Sequence, residues 1–279
     1  MVTKIVTDST CDLPASVVAE HGITVVPLYI NIDNQSYLDG IDITREEFYE
    51  QLPNYKSNPT TSAPGTGTFV KVYEQLAAEG ADHIFSIHIS AKLSNVVNVA
   101  RMAAEAINTV PITVIDSGQL SAGTGILALT AAKAAAVGAA TDKIITLIQE
   151  KKPRIHTVAA LDTLEFLRRS GRLSEFKARM ATLLKIKPLL TMNNDVIGME
   201  RVRTRQKSIE WLLTYLKNLT PLEQITLVHT HAHESVKTFQ EQTQHLFPKD
   251  NIPMLVDVTP VLGAHLGPGV VGFTCVTAH

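Results

Sequence analysis

Short apolar runs recur through the first half of the chain, each bounded by turn residues and each followed by a stretch with helical spacing. Residues 4–7 read as a strand that runs into Asp8-Ser9-Thr10-Cys11-Asp12. Pro14 then falls in the first turn of a helix that stops near Gly22, and residues 23–30 form a second apolar strand. Thr44 and Glu47 have capping-box spacing and open a helix reaching about Leu52. A helix over 68–79 precedes a strand over 84–89, and another helix starts at Ser94 or Asn95. Residues 112–115 form a further strand, ending in Asp116-Ser117 ahead of a long Ala-rich helix. Strands that alternate with helices predict a parallel sheet covered on both faces.

After about Lys151-Lys152-Pro153 the rhythm changes. A strand over 157–160 and helices over 161–169 and 175–184 lead to a hairpin. Its arms are 188–192 and 197–202, turned at Asn193-Asn194-Asp195. A helix over 207–219, a strand over 225–228, a helix from about Glu234 and strands near 254–258 and 272–276 complete the chain. A hairpin among α/β units predicts a mixed sheet. The expected architecture is therefore α/β in two domains: residues 1–153 around a parallel sheet, and residues 154–279 around a mixed one.

Composition narrows the function. In 279 residues, 45% are hydrophobic, 19% charged and 5% aromatic, which is ample for a globular core. A formal net charge of -2 argues against nucleic acid as a partner. The run Arg201-Val202-Arg203-Thr204-Arg205 reads more simply as a solvated strand edge. The most apolar run, 126–140, carries Lys133 and Gly138 and is too short to span a bilayer, so a buried helix is expected there. No leader-like apolar stretch precedes Asp8, and the two cysteines, Cys11 and Cys275, sit in no secretory context; both point to a reduced, cytoplasmic protein.

Three distant segments carry the candidate chemistry: Pro59-Thr60-Thr61-Ser62-Ala63-Pro64, Ile89-Ser90-Ala91-Lys92-Leu93-Ser94 and Gly263-Ala264-His265-Leu266-Gly267-Pro268-Gly269. None contains a carboxylate. Hydroxyls, backbone amides and one imidazole can all donate hydrogen bonds, so they suit an anion. Thr60 to Ser62 reads as a loop pinned between prolines, and His265 as part of a glycine-rich loop. Ser94 serves equally well as an ordinary helix cap. His229, His231 and His233 alternate and would share one face of a continued strand, but no carboxylate has a telling spacing to them, so no metal is expected. Capping accounts for Asp8, Asp12 and Asp116. The chain has neither a Gly-x-Ser-x-Gly elbow nor a Gly-x-x-x-x-Gly-Lys-Ser/Thr loop. Three readings stay open: a carrier of an acidic lipid, an acyl-transfer or hydrolytic enzyme using Ser94 or Cys11 with His265, and a binder of a phosphorylated metabolite.

In order and spacing the chain resembles the DegV family of bacterial fatty-acid-binding proteins, which includes the FakB-type subunits of fatty acid kinase. The resemblance runs through Thr7-Asp8-Ser9-Thr10-Cys11-Asp12-Leu13, Pro59-Thr60-Thr61-Ser62, Ile89-Ser90-Ala91-Lys92-Leu93-Ser94 and Ile115-Asp116-Ser117. It continues in Leu164-Glu165-Phe166-Leu167-Arg168-Arg169-Ser170-Gly171-Arg172, Lys187-Pro188-Leu189-Leu190, Val202-Arg203-Thr204 and His265-Leu266-Gly267-Pro268-Gly269. It implies one long-chain fatty acid in a tunnel at the domain junction, with no cofactor. The positions matching Thr61, Ser94 and His265 hold the carboxylate; Thr60, Ser62, Asn95, Gly267 and Gly269 are secondary candidates. It further implies a separate ATP-dependent kinase that phosphorylates the presented carboxylate, with Arg172 facing that partner, and only transient membrane contact. Two departures stand out: Asn95 where the family has Gly, and Ser170-Gly171 where it has Gly-Gly.

Overall fold

The computed structural model describes residues 2–173, 186–249 and 253–279. The helix expected over 175–184 lies outside the described residues.

The first half builds the expected parallel sheet. Strands β1 (Thr3–Asp8), β2 (Ile23–Val26), β6 (His83–His88) and β7 (Ile112–Asp116) align in the order β2-β1-β6-β7, every neighbour parallel. The long second strand expected over 23–30 does not form. The chain leaves the sheet at Pro27-Leu28, because Pro27 has no N–H to donate to a ladder, and Tyr29–Ile32 (β3) joins a different sheet. That sheet is a small antiparallel one, β4-β3-β5, with β4 at Gln35–Leu38 and β5 at Thr60–Ser62. Thr60-Thr61-Ser62 is therefore a strand and not a loop. The two β-branched threonines suit a pleated surface, and the flanking prolines merely end it.

Helices α1 (Ala15–Glu20), α2 (Arg45–Gln51), α3 (Thr66–Ala78) and α4 (Val96–Glu105) fall where the pattern places them. The cap at Thr44 forms: its hydroxyl accepts from the Glu47 N–H at 3.2 Å. Helix α5 (Ala122–Ala136) touches β1 and β6 on one side, and β8 (Ile155–Ala160) and β13 (Val271–Thr277) on the other. Buried between two sheets, it needs no polar stripe, which explains the uniform alanine pattern. Helix α6 (Thr141–Lys151), absent from the sequence reading, follows it.

The second half forms a six-stranded mixed sheet, β10-β9-β8-β13-β11-β12. The hairpin β9 (Lys187–Asn193) and β10 (Val196–Val202) is present, and β11 (Leu222–His229) pairs parallel only with β12 (Met254–Asp257). Helices α8 (Arg205–Asn218) and α9 (His233–Thr243) cover its outer face over a cluster containing Leu212, Phe239 and Phe273, while α7 (Glu165–Arg169) stands beside α10 (Pro260–Leu266). Among the described residues no helix is long and apolar enough to cross a membrane.

Specific bonds tie the two halves together. At the hairpin tip the Asp195 carboxylate accepts from the Ser90 hydroxyl at 2.5 Å, and the Asp195 carbonyl accepts from Lys92 Nζ at 2.8 Å. Buried Asp12 accepts from the Ser121 hydroxyl at 2.5 Å and from the Thr259 N–H at 2.8 Å. Asp12 is thus a cross-link rather than a cap, whereas Asp8 does cap a 3-10 turn, accepting from the Thr10 N–H. Cys11 and Cys275 are both buried and free.

Asp39 adds a pH dependence to this core. It is 4% exposed, and burial pushes its pKa up to about 7. The Ser9 hydroxyl is near enough to lower that value somewhat but makes no aligned hydrogen bond, and neither carboxylate oxygen has a partner. A carboxylate with a raised folded pKa binds its proton more tightly when folded, so stability falls as pH rises from about 4 through about 7. Asp39→Asn is expected to narrow the gap in Tm between pH 5 and pH 8 by about 3 °C or more, measured by thermal unfolding at both pH values. An unchanged gap contradicts the assignment.

Candidate functional site

A cavity of about 160 Å³ opens between the halves of the molecule. Leu28, Ala63, Ile89, Leu93 and Leu120 from the first half face Leu167, Val261, Leu262 and Leu266 from the second. Thr10, Thr61, Ser62, Ser94, Asn95, Arg172 and His265 supply its polar lining. No Asp or Glu lines the cavity among the described residues, and Arg172 is its one permanent charge. An apolar cavity that also offers hydroxyls, an imidazole and a cation suits an apolar molecule bearing an anionic group.

Each element delivers its side chain for a local reason. Thr61 is the inward-facing residue of β5, paired with Ile30 of β3, while Thr60 and Ser62 are exposed by the strand's alternation. Ser94 ends the turn after β6, its N–H donating to the Ser90 carbonyl at 3.1 Å. Asn95 occupies the N-cap position of α4 with no side-chain cap bond, so the Ser94 hydroxyl is not consumed in capping. Asn95 sits at φ -80°, a conformation open to any residue, so the departure from glycine brings no strain here.

His265 is not on a loop. It lies in the last turn of α10, and the glycines around it serve packing. At Gly263 a Cβ would come within 2.3 Å of the Tyr49 hydroxyl oxygen, so only glycine lets this helix seat against α2. Gly267 ends the helix at φ +75° beside the Phe166 ring, and Gly269 at φ +85° lies against Asp162. Thr60, Gly267 and Gly269 therefore shape the walls around the cavity without lining it.

The structure brings Thr61 and His265 into direct contact, with Thr61 Oγ1 and His265 Nε2 2.8 Å apart. His265 Nδ1 is buried without a partner, an unmet hydrogen-bonding group. Burial, aided by the Arg172 guanidinium, pushes the imidazole pKa down to about 4, so it is neutral at pH 7. A neutral imidazole adds donor capacity without a fixed charge. Thr10, missed in the sequence, enters because the 3-10 turn after β1 places it in the cavity lining; its hydroxyl donates to Asp8 at 2.5 Å.

Arg172 follows Gly171, which turns at φ +73° after the basic end of α7. Its Nη1 donates to the Ser170 carbonyl at 3.1 Å, and the residue lines the cavity. The sequence sets it apart from the three anion segments; the fold brings it beside them.

Two of the residues named in the enzymatic reading, Cys11 and His265, are poorly set for catalysis. Cys11 lies in a separate crevice with Asp39 and Arg45, and burial pushes its thiol up to about 12. His265 Nε2 is engaged by Thr61, and an imidazole of pKa about 4 is a poor general base at neutral pH. A Ser86–His88–Asp8 chain does have triad connectivity, at 2.6 and 2.9 Å. All three residues are fully buried and Tyr73 also bonds Ser86, so no substrate reaches them.

The two halves of the molecule thus enclose a largely apolar cavity whose polar lining consists of hydroxyls, an amide, an imidazole and a guanidinium. The sequence model of the DegV family of uncharacterised proteins matches residues 2–278, and the chain belongs to that family. A DegV domain-containing protein of Caldanaerobacter subterraneus subsp. tengcongensis is 37% identical over 235 residues, covering 82% of this chain and 83% of that one. A DegV family protein from Thermus thermophilus, whose solved structure is described as showing fatty acid binding, superposes with a TM-score of 0.90 at 30% identity, over 99% of this chain and all of that one. DegV from Bacillus subtilis, described as a fatty acid binding protein, gives 0.88 at 30% identity over 99% of each chain.

Proposed function

We propose that this protein binds one long-chain fatty acid and presents its carboxylate to a separate ATP-dependent kinase for conversion to an acyl phosphate. The observation that carries the binding reading is the composition of the cavity: mostly apolar walls, a set of hydroxyls with one imidazole, one guanidinium and, among the described residues, no acidic side chain. The descriptions of the Thermus and Bacillus proteins support the same ligand class. Residues 1–153 supply most of the tail wall as a lipid-binding domain, and residues 154–279 close the tunnel and carry the partner-facing surface. The carboxylate accepts from the Ser94 hydroxyl and from one donor of the Thr61–His265 pair, whose 2.8 Å bond uses the other proton, with Ser62 and Asn95 at the margin. Arg172, in the cavity lining, offsets the burial of negative charge and meets the kinase. The protein works as a carrier in the cytoplasm and performs no turnover by itself.

Affinity and orientation come from different atoms. Burying an acyl chain is worth about 0.8 kcal/mol per methylene, so about fourteen methylenes supply roughly 11 kcal/mol before association costs. Hydrogen bonds to the head group add about 1 kcal/mol each. Organic extraction of the purified protein followed by mass spectrometry tests the reading. A free long-chain fatty acid is expected; a covalent acyl adduct or a phosphate ester points to the other two readings. Arg172→Ala is expected to keep its fatty acid, since the tail wall is intact, and to lose most kinase-dependent acyl phosphate formation. Unimpaired phosphorylation contradicts the role given to Arg172.

A further inference from the structure

The histidine alternation acquires a meaning in three dimensions that it lacks in the sequence. Strand β11 ends at His229, so His229, His231 and His233 do not share a strand face. The chain turns at His231, held at φ +49°, and α9 starts at His233. Beside that turn is the C-terminal end of β12, parallel to β11, where Asp257 lies opposite His229 in the register. The carboxylate that no local spacing reveals is delivered by the neighbouring strand.

We propose that His231, His233 and Asp257 bind a borderline divalent transition-metal cation of the zinc class, with a fourth position open to solvent. One donor atom from each residue already lies within 4.8 Å of the other two. A cation about 2.0–2.1 Å from each ligand draws tetrahedral donors to roughly 3.4 Å apart, a closure of at most about 1.4 Å for side chains free to rotate. Both imidazoles are exposed and can make that movement.

The surroundings are organised for it. Asp257 Oδ1 accepts from the His231 N–H at 3.0 Å, fixing the turn against the carboxylate. The Tyr49 ring stacks on His231 at 6.1 Å between centroids. Buried His229 is the back wall and not a ligand: its Nδ1 accepts from the Ala232 N–H at 3.3 Å and lies 3.4 Å from Asp257 Oδ1. Two nitrogens and one oxygen, with no thiolate, suit zinc, nickel or copper(II) over calcium or magnesium. The site flanks the Val258-Thr259 segment that leads into α10, so an occupied site clamps the base of the helix carrying His265.

The test is a calorimetric titration of tag-free, chelator-treated protein with zinc chloride, with x-ray absorption on the loaded form. One zinc ion per chain is expected, with a dissociation constant of about 10 μM or tighter and a light-atom shell that includes two imidazoles. His231→Asn, chosen because asparagine tolerates the left-handed backbone, and His233→Gln are each expected to weaken binding at least about tenfold. His245→Ala, on the exposed surface away from the cluster, should leave it unchanged. No stoichiometric binding in the wild-type protein, or binding that survives the His231→Asn/His233→Gln double variant, overturns the proposal. Far-UV circular dichroism of each variant separates loss of ligands from loss of fold.

Discussion

Ala63→Trp is expected to empty the protein of ligand while leaving its fold intact. Ala63 directly follows β5, lines the cavity beside Thr61 and Ser62, and packs against the main core. An indole at this position occupies the space that the first methylenes of an acyl chain need, in a cavity of only about 160 Å³. The loss falls on the tail term, the dominant one at roughly 11 kcal/mol for about fourteen methylenes. Affinity for a long-chain fatty acid should drop by about a hundredfold or more, with Ala63→Ser as the control that retains it. Ala63 is only partly buried and follows the end of β5, so the variant should keep its circular dichroism spectrum and a cooperative melt. Undiminished fatty acid content in a folded Ala63→Trp protein places the ligand elsewhere.

Ser94→Ala and His265→Ala should behave in the opposite way, retaining ligand and losing its presentation. Each change removes one head-group partner but none of the apolar wall, so affinity should fall by about tenfold at most. What disappears is the fixed position of the carboxylate oxygen. A displacement of about 1 Å costs on the order of a hundredfold in a transfer reaction. His265→Ala has a second consequence, because Thr61 Oγ1 loses its partner at 2.8 Å and can rotate away. Phosphorylation rates measured at saturating kinase should therefore fall by about two orders of magnitude in both variants. Rates equal to wild type would show that neither residue holds the carboxylate.

The periodic part of the architecture was legible in the sequence. Strands of the parallel sheet, the Thr44 cap and the hairpin at Asn193-Asn194-Asp195 follow from local rules of apolar spacing, capping and turn chemistry. The failures have one physical source: residues whose local signal was overridden by a distant contact. Gly263 reads as a loop former, yet it is glycine because Tyr49, more than 200 positions earlier, leaves no room for a Cβ. Thr60-Thr61-Ser62 reads as a loop between prolines, yet its backbone partner is β3. Residues 23–30 look continuous in hydrophobicity, and only Pro27 hints that the two ends serve different sheets.

The site follows the same rule. Thr61, Ser94 and His265 could be singled out because hydroxyls and an imidazole between glycines and prolines are conspicuous in an apolar chain. Arg172 and Thr10 could not be joined to them, because each sits in a turn whose destination depends on tertiary packing. Asp257 is the same case for the histidine cluster. A strand pairing sets its distance to His231, and no local spacing records that pairing.

The most direct test is a crystal structure of the protein with a bound long-chain fatty acid. The acyl chain should run between Leu28, Ile89, Leu120 and Leu262, with the carboxylate oxygens about 2.6–3.2 Å from the Ser94 hydroxyl and from a donor of the Thr61–His265 pair, and the Arg172 guanidinium nearby. A carboxylate bound at the far end of the cavity, or a chain lodged in the crevice beside Asp39 and Cys11, would contradict the account.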